Sequence, residues 1–103
     1  MTVRTGLRLF AVTHTQGARW HTGRPLEEQA NWPAHAAFME ALEAEGVVVL
    51  GGPLEGTPDV LLIMRAREAA EIRARLAADP WHRDDLLRLG QVIPWTLRLG
   101  SLG

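Results

Sequence analysis

Cysteine, lysine and tyrosine are all missing from this sequence of 103 residues, and each absence removes chemistry. Without cysteine there is no disulfide framework, no thiolate nucleophile and no Cys-ligated zinc or iron–sulfur cluster. Without lysine all 11 basic residues are arginine, which excludes Schiff-base and amine-nucleophile mechanisms, and pyridoxal-phosphate chemistry with them. An excess of either charge is lacking too. The 11 basic residues stand against 12 carboxylates, for a net charge of −1, and the arginines are scattered rather than clustered, which argues against nucleic acid as a partner. No apolar run approaches the roughly 20 residues that span a bilayer. The stretch Met1–Gly6 lacks the basic-then-apolar pattern of a signal peptide. The expectation is a cytoplasmic protein with no membrane partner.

What is present is the balance of one ordinary domain over residues 1–103, with 47% hydrophobic and 22% charged residues, long enough to bury a core without staples. Leu7–His14 mixes alternation with β-branched residues and reads as a first strand. Thr15–Trp32 is a long connection rich in Gly, Pro and polar residues, with room for a helical turn or two at Pro25–Ala30; connections beyond about 12–15 residues are usually functional or disordered. Pro33 suits the first position of a longer helix and Gly46 its end. Between them His35, Phe38, Met39 and Leu42 recur at three- and four-residue steps and form one face.

Val47–Leu50, ended by Gly51-Gly52-Pro53, and Val60–Met64 read as two further strands. Arg67–Ala78 carries the stripe Ala69, Ile72, Leu76 of a second helix that Pro80 stops near Asp79, and Trp81–Leu89 is predicted to add a short helix. Ile93, Trp95, Leu97 and Leu99 alternate as a last strand. Pro94 confines that strand to a sheet edge. The order βαββαβ gives a ferredoxin-like α+β fold whose antiparallel-rich, four-stranded sheet runs 4-1-3-2, with the Pro94 strand on the edge. Helices on one face leave an apolar opposite face to be covered, so a homodimer is expected.

The candidate acids and bases include His14, His21, His35 and His82. None has a metal-ligand spacing, so neither a metal site nor a cofactor is expected. His35 lies on an apolar helix face and needs a partner. Asp79 continues the second helix's stripe three residues beyond Leu76, at a helix C-terminus where the macrodipole disfavours a negative charge. In this fold the start of the first helix approaches the end of the second, which makes His35 and Asp79 a natural pair. The carboxylate would fix the tautomer and leave the other nitrogen free for general acid/base work.

The bland counterparts are a core histidine satisfied by a backbone carbonyl and an ordinary Asp-Pro turn. Gly52 and Pro53 permit close backbone approach of a ligand, or simply end a strand. Trp81 suits a pocket wall, the core or a dimer contact. His21 and Arg24, in the long loop, are ligand contacts or solvated side chains. The loop itself is expected to wall or lid the pocket, or else to cover the dimer contact, with Trp20 and Trp32 folding its ends onto the body.

These residues resemble the YCII-related (YciI-like) family through Trp32-Pro33-Ala34-His35-Ala36-Ala37-Phe38-Met39, Leu42-Glu43-Ala44-Glu45-Gly46, Val49-Leu50-Gly51-Gly52-Pro53-Leu54 and Asp79-Pro80-Trp81. The resemblance implies a ferredoxin-like fold that pairs into a dimeric α+β barrel, like muconolactone isomerase, and an active site in which His35 and Asp79 form a His–Asp pair. One characterised branch of the family eliminates chloride from a chlorinated hydroxyquinol. The long Thr15–Trp32 segment and the proline in the last strand depart from the family pattern. The function expected is a small cofactor-independent enzyme that isomerises, eliminates from or dehydrochlorinates a small cyclic or aromatic metabolite. The alternative is a ligand-binding or assembly module of the same fold. An open pocket reaching His35 favours the enzyme.

Overall fold

Strand β1 (Arg8–Gln16) lies inside a four-stranded sheet in the computed structural model, which describes residues 6–102. The part of the N-terminal targeting read that covers residues 1–5 falls outside them. The chain continues through a single 3-10 turn (Leu26–Glu28), α1 (Trp32–Ala44), β2 (Val48–Pro53), β3 (Asp59–Ala66), α2 (Ala69–Leu76), α3 (Pro80–Arg83) and β4 (Leu87–Trp95). The sheet order is β2-β3-β1-β4, the expected 4-1-3-2 read from the other edge, and every pairing is antiparallel. The α+β, ferredoxin-like architecture is therefore as expected, with the Pro94 strand at one edge. Among the described residues no helix is long and apolar enough to cross a membrane.

Register decides which side chains form the core. Phe10 opposes Met64 and Val12 opposes Leu62, and these four sit on one face of the pleat with Leu42 of α1 and Ile72 and Leu76 of α2. Each of these side chains is nearly or fully buried, worth roughly 1.5–3 kcal/mol apiece relative to exposure. Two residues further along β1, on the same face, comes His14, opposite Val60 and as buried as the core. Gly46, at φ 79°, ends α1 in the left-handed conformation that suits glycine.

Four boundaries differ from the sequence reading. Gly51-Gly52-Pro53 does not follow β2 but belongs to it. As β2 is the other edge strand, Pro53 removes no necessary ladder bond, and a Cβ at Gly51 would collide with the Leu62 side chain. The helix predicted over Trp81–Leu89 is only the turn Pro80–Arg83, after which the chain reverses and enters β4 at Leu87, paired with Gln16. Long-range pairing with β1 overrides the local helical pattern there. The last strand ends at Trp95 rather than Leu99, which is 88% exposed. Lastly, β1 runs two residues beyond His14, since β3 and β4 both continue to pair with Thr15.

The connection between β1 and α1 is pinned rather than loose. Gly17 N–H donates to the Leu86 carbonyl at 2.8 Å and Arg19 N–H to that of Asp85 at 3.0 Å. The approach is so close that a Cβ at Gly17 would collide with the Asp85 carbonyl. At the far end the Asn31 side chain donates to the Asp84 carboxylate. Between them the segment curls around one buried amide, Gln29, whose Nε2 donates to the carbonyls of His21 (2.9 Å) and Arg24 (3.0 Å) and whose Oε1 accepts from His21 N–H (2.8 Å).

Candidate active site

Asp79 ends up in a different electrostatic setting from the one its place in the sequence implies. It is the N-cap of α3, not the last residue of α2, and its Oδ1 accepts from Trp81 N–H at 3.0 Å. The compensation that a carboxylate at a helix C-terminus would lack is thus supplied by the next helix, begun by Pro80. The same carboxylate, 1% exposed, meets Nδ1 of His35 at 2.9 Å from both oxygens. With the carboxylate ionised, Nδ1–H donates and Nε2 is the nitrogen left to act.

The ring of His35 is fixed in two further ways. It stacks on Trp81 with centroids 3.8 Å apart and planes 5° from parallel, and Trp32 leans on it at 6.0 Å. Trp81 is itself fully buried and held by donation from Nε1 to the Ala30 carbonyl at 2.7 Å. Trp20 meets Trp81 edge to face at 5.4 Å and Trp32 packs on it at 5.8 Å. Both ends of the long connection are therefore folded onto the wall behind the histidine.

His35, Asp79 and Trp81 line a cavity of about 310 Å³. Gly52 and Pro53 of β2 line it as well, and a Cβ at Gly52 would meet nothing within 4 Å. The connection contributes Trp20, Leu26 and Trp32 to the wall. It does not contribute His21 or Arg24. Both are exposed and neither is among the lining residues. The reason is Gln29: by binding the backbone of both residues it closes the segment around itself and leaves their side chains outside, where Nδ1 of His21 lies 3.3 Å from the Thr22 carbonyl.

Two other histidines meet behind the pair. His14 is 3% exposed and lines the cavity, and its ring lies edge-on to His82 at 5.0 Å and 79°. Burial, reinforced by His82, pushes the His14 pKa down to about 4 against the opposing pull of Asp79. His82 is lowered as well, chiefly by burial. The signal for His14 was present in the sequence, since Phe10, Val12 and His14 alternate onto one face of a strand. Nothing local announces His82. Among the described residues no three His, Cys, Asp or Glu side chains converge as a metal centre.

A family model for the YCII-related domain matches residues 11–96. The fold is similar to that of 5-chloro-2-hydroxyhydroquinone dehydrochlorinase from Burkholderia phenoliruptrix AC1100, solved in complex with 2,5-dihydroxybenzoquinone. That likeness covers 89% of this chain and 95% of the other at 24% identity, with a TM-score of 0.58. No curated protein matches the chain.

Proposed function

The chain belongs to the YCII-related family, and from that premise we propose that it is a small cofactor-independent enzyme of the cytoplasm. In this reading it moves a proton on a small cyclic or aromatic metabolite, in an isomerisation or an elimination of the dehydrochlorination type. The observation that carries the reading is the commitment of His35 Nδ1 to both oxygens of Asp79 while the same ring lines an open cavity. His35 acts through Nε2 as general base and then general acid. Asp79 is the positioning residue that holds tautomer and orientation. Gly52 and Pro53 form the surface against which a flat ring rests, and Trp81, stacked on His35, backs the wall opposite. The dehydrochlorinase of similar fold, with its bound dihydroxybenzoquinone, supports a ligand of that size and shape.

Proton transfer is testable before the physiological substrate is known. Small hydroxylated and ketonic rings that raise the melting temperature of the protein are incubated with it in D₂O, and exchange of their carbon-bound hydrogens is followed by NMR. At least one is expected to exchange roughly 10²–10⁴-fold faster with the wild type than with His35→Gln, the range typical of a positioned acid/base. Equal rates with both proteins would favour the alternative, a non-catalytic ligand-binding or assembly module in which the pair serves only structure.

We also propose that the chain works as a homodimer. Leu50, Ile63, Ala11 and Ile93 form one row across the sheet face that the helices leave open, and Trp95 lies beside Leu9 on the same face. Leu50, Ile93 and Trp95 are 51%, 46% and 39% exposed, an apolar patch of the kind that marks an interface. Light scattering at micromolar concentration is expected to give twice the 11.4 kDa chain mass, and Ile93→Asp to return the chain to a monomer. A monomeric wild type would remove the dimer without touching the site.

A further inference from the structure

His14 and His82 have no place in the chemistry of the His35–Asp79 pair, and they are costly where they are. Nδ1 of His14 and Nε2 of His82 are sealed from solvent and have no hydrogen-bond partner among the described residues. Such atoms are rare in folded proteins and ask for a reason. Packing supplies none. The positions beside His14 on the same face are Val12 and its cross-strand neighbour Val60, so an aliphatic side chain would continue the core without an unpaired nitrogen. Like Val60, His14 lines the same cavity as His35, but it brings ring nitrogens to that wall where an aliphatic side chain brings none. With Nδ1 sealed, Nε2 is the nitrogen that remains for the cavity.

The rest of the lining is one-sided in charge. None of the described arginines lines the cavity, whereas Asp59 and Asp79 both do. A ligand carboxylate entering there would find no guanidinium and two carboxylates. An uncharged hydroxyl or carbonyl would find imidazole, which both donates and accepts. Burial holds His14 uncharged at neutral pH, so it adds a hydrogen bond without adding a cation. The volume, about 310 Å³, is at the lower end of small-molecule sites, and the half-buried indoles of Trp20 and Trp32 suit a single flat ring.

We propose that His14, oriented by the edge contact with His82, is the specificity-determining residue of the cavity. It takes a second oxygen of an uncharged, ring-sized ligand whose first oxygen or adjacent carbon faces His35, and the site discriminates against carboxylates. The proposal rests on the reading of this cavity as the ligand site, but not on turnover.

The test is binding to the full-length protein at pH 7, by NMR titration with phenol, the three benzenediols and 4-hydroxybenzoate. The best of the three diols is expected to bind at least tenfold more tightly than phenol, and 4-hydroxybenzoate more weakly than phenol. The imidazole ¹⁵N resonances of His14 are expected to shift with the diol and stay put with phenol. His14→Phe is expected to erase the diol preference while changing phenol affinity by less than twofold. His14→Gln, which restores a donor and an acceptor, is expected to recover part of the preference and serves if the phenylalanine variant does not fold.

Equal binding of phenol and all three diols, a preference that survives His14→Phe, preferred binding of 4-hydroxybenzoate, or no binding by any phenol would each overturn the proposal. Its failure is distinguishable from that of the catalytic reading. Diol preference with no proton exchange sinks only the latter, and proton exchange without diol preference sinks only the former.

Discussion

Replacing Asp79 by alanine is expected to destabilise the protein by about 3–5 kcal/mol, since two buried donors at roughly 1–3 kcal/mol each lose their acceptor and a helix cap is lost with them, and to abolish proton transfer. One carboxylate, 1% exposed, accepts from two groups that have no other partner for these protons among the described residues: the Trp81 backbone N–H and Nδ1 of His35. Its removal strands both in the interior and takes away the cap of α3. In a domain of this size 1 kcal/mol moves the melting temperature by about 4–8 °C, so a fall of at least about 12 °C is expected. Asp79→Asn separates the structural from the chemical part. The amide oxygen can still cap Trp81 N–H, whereas the amide NH₂ turned toward Nδ1 selects the other tautomer and places the ring proton on Nε2. The asparagine variant should therefore lose much less stability than the alanine variant, yet lose deuterium exchange by roughly 10²-fold or more. Wild-type exchange in Asp79→Asn would show that the carboxylate does not set the tautomer.

Acidification from pH 6.5 to 4 is expected to remove about 3 kcal/mol of stability through His14 alone. The folded state holds this imidazole at a pKa of about 4 against an ordinary 6.5 in the unfolded chain. Between these values the unfolded state binds the proton and the folded state does not, so stability rises with pH across the window. The contribution is complete above pH 6.5 and is lost progressively as the pH falls to 4, where the folded protein also accepts the proton. A difference of this size converts at about 1.4 kcal/mol per pH unit. His82, lowered by burial in the same direction, steepens the slope. Urea midpoints measured from pH 7 to 4 are expected to fall for the wild type and to fall much less for His14→Gln. A flat wild-type profile would mean that the ring is not held neutral by burial.

The sequence disclosed its fold where single residues carry strong backbone constraints. Pro33 and Gly46 bracket α1 to within a residue or two, and Pro94 sends β4 to the edge, from which the strand order follows. It disclosed the central pair because Asp79 extends a helical stripe and His35 sits on another, and the topology brings the two helix ends together. It was misleading where local pattern and long-range pairing conflict. The run from Trp81 to Leu89 has helical spacing, yet Leu87 is drawn into a strand by Gln16, seventy-one residues earlier. His21 and Arg24 looked like ligand contacts because they are polar and lie in a long loop. Their exclusion depends on where one glutamine amide lies, and no periodicity encodes that. The meeting of His14 with His82 is equally non-local, as it depends on how α3 packs against the end of β1.

The pinned connection has a consequence for how this protein can change. Its ends are tied to the Asp84–Leu86 turn and its middle is organised by the internal amide of Gln29, so its shape is self-contained and owes nothing to the strand ladder. Trp20, Leu26 and Trp32 reach the cavity from this segment, whereas His35 and Asp79 stand on the helices. The outer wall is in effect an exchangeable cassette, in which Leu26 can be enlarged, shrunk or made polar without disturbing the sheet or the His–Asp pair. Selectivity can drift in such a scaffold while the His–Asp pair stays fixed, and a laboratory library confined to Leu26 and its exposed neighbours, with Gly17, Trp20, Gln29 and Trp32 kept, would explore new ligands at little risk to folding.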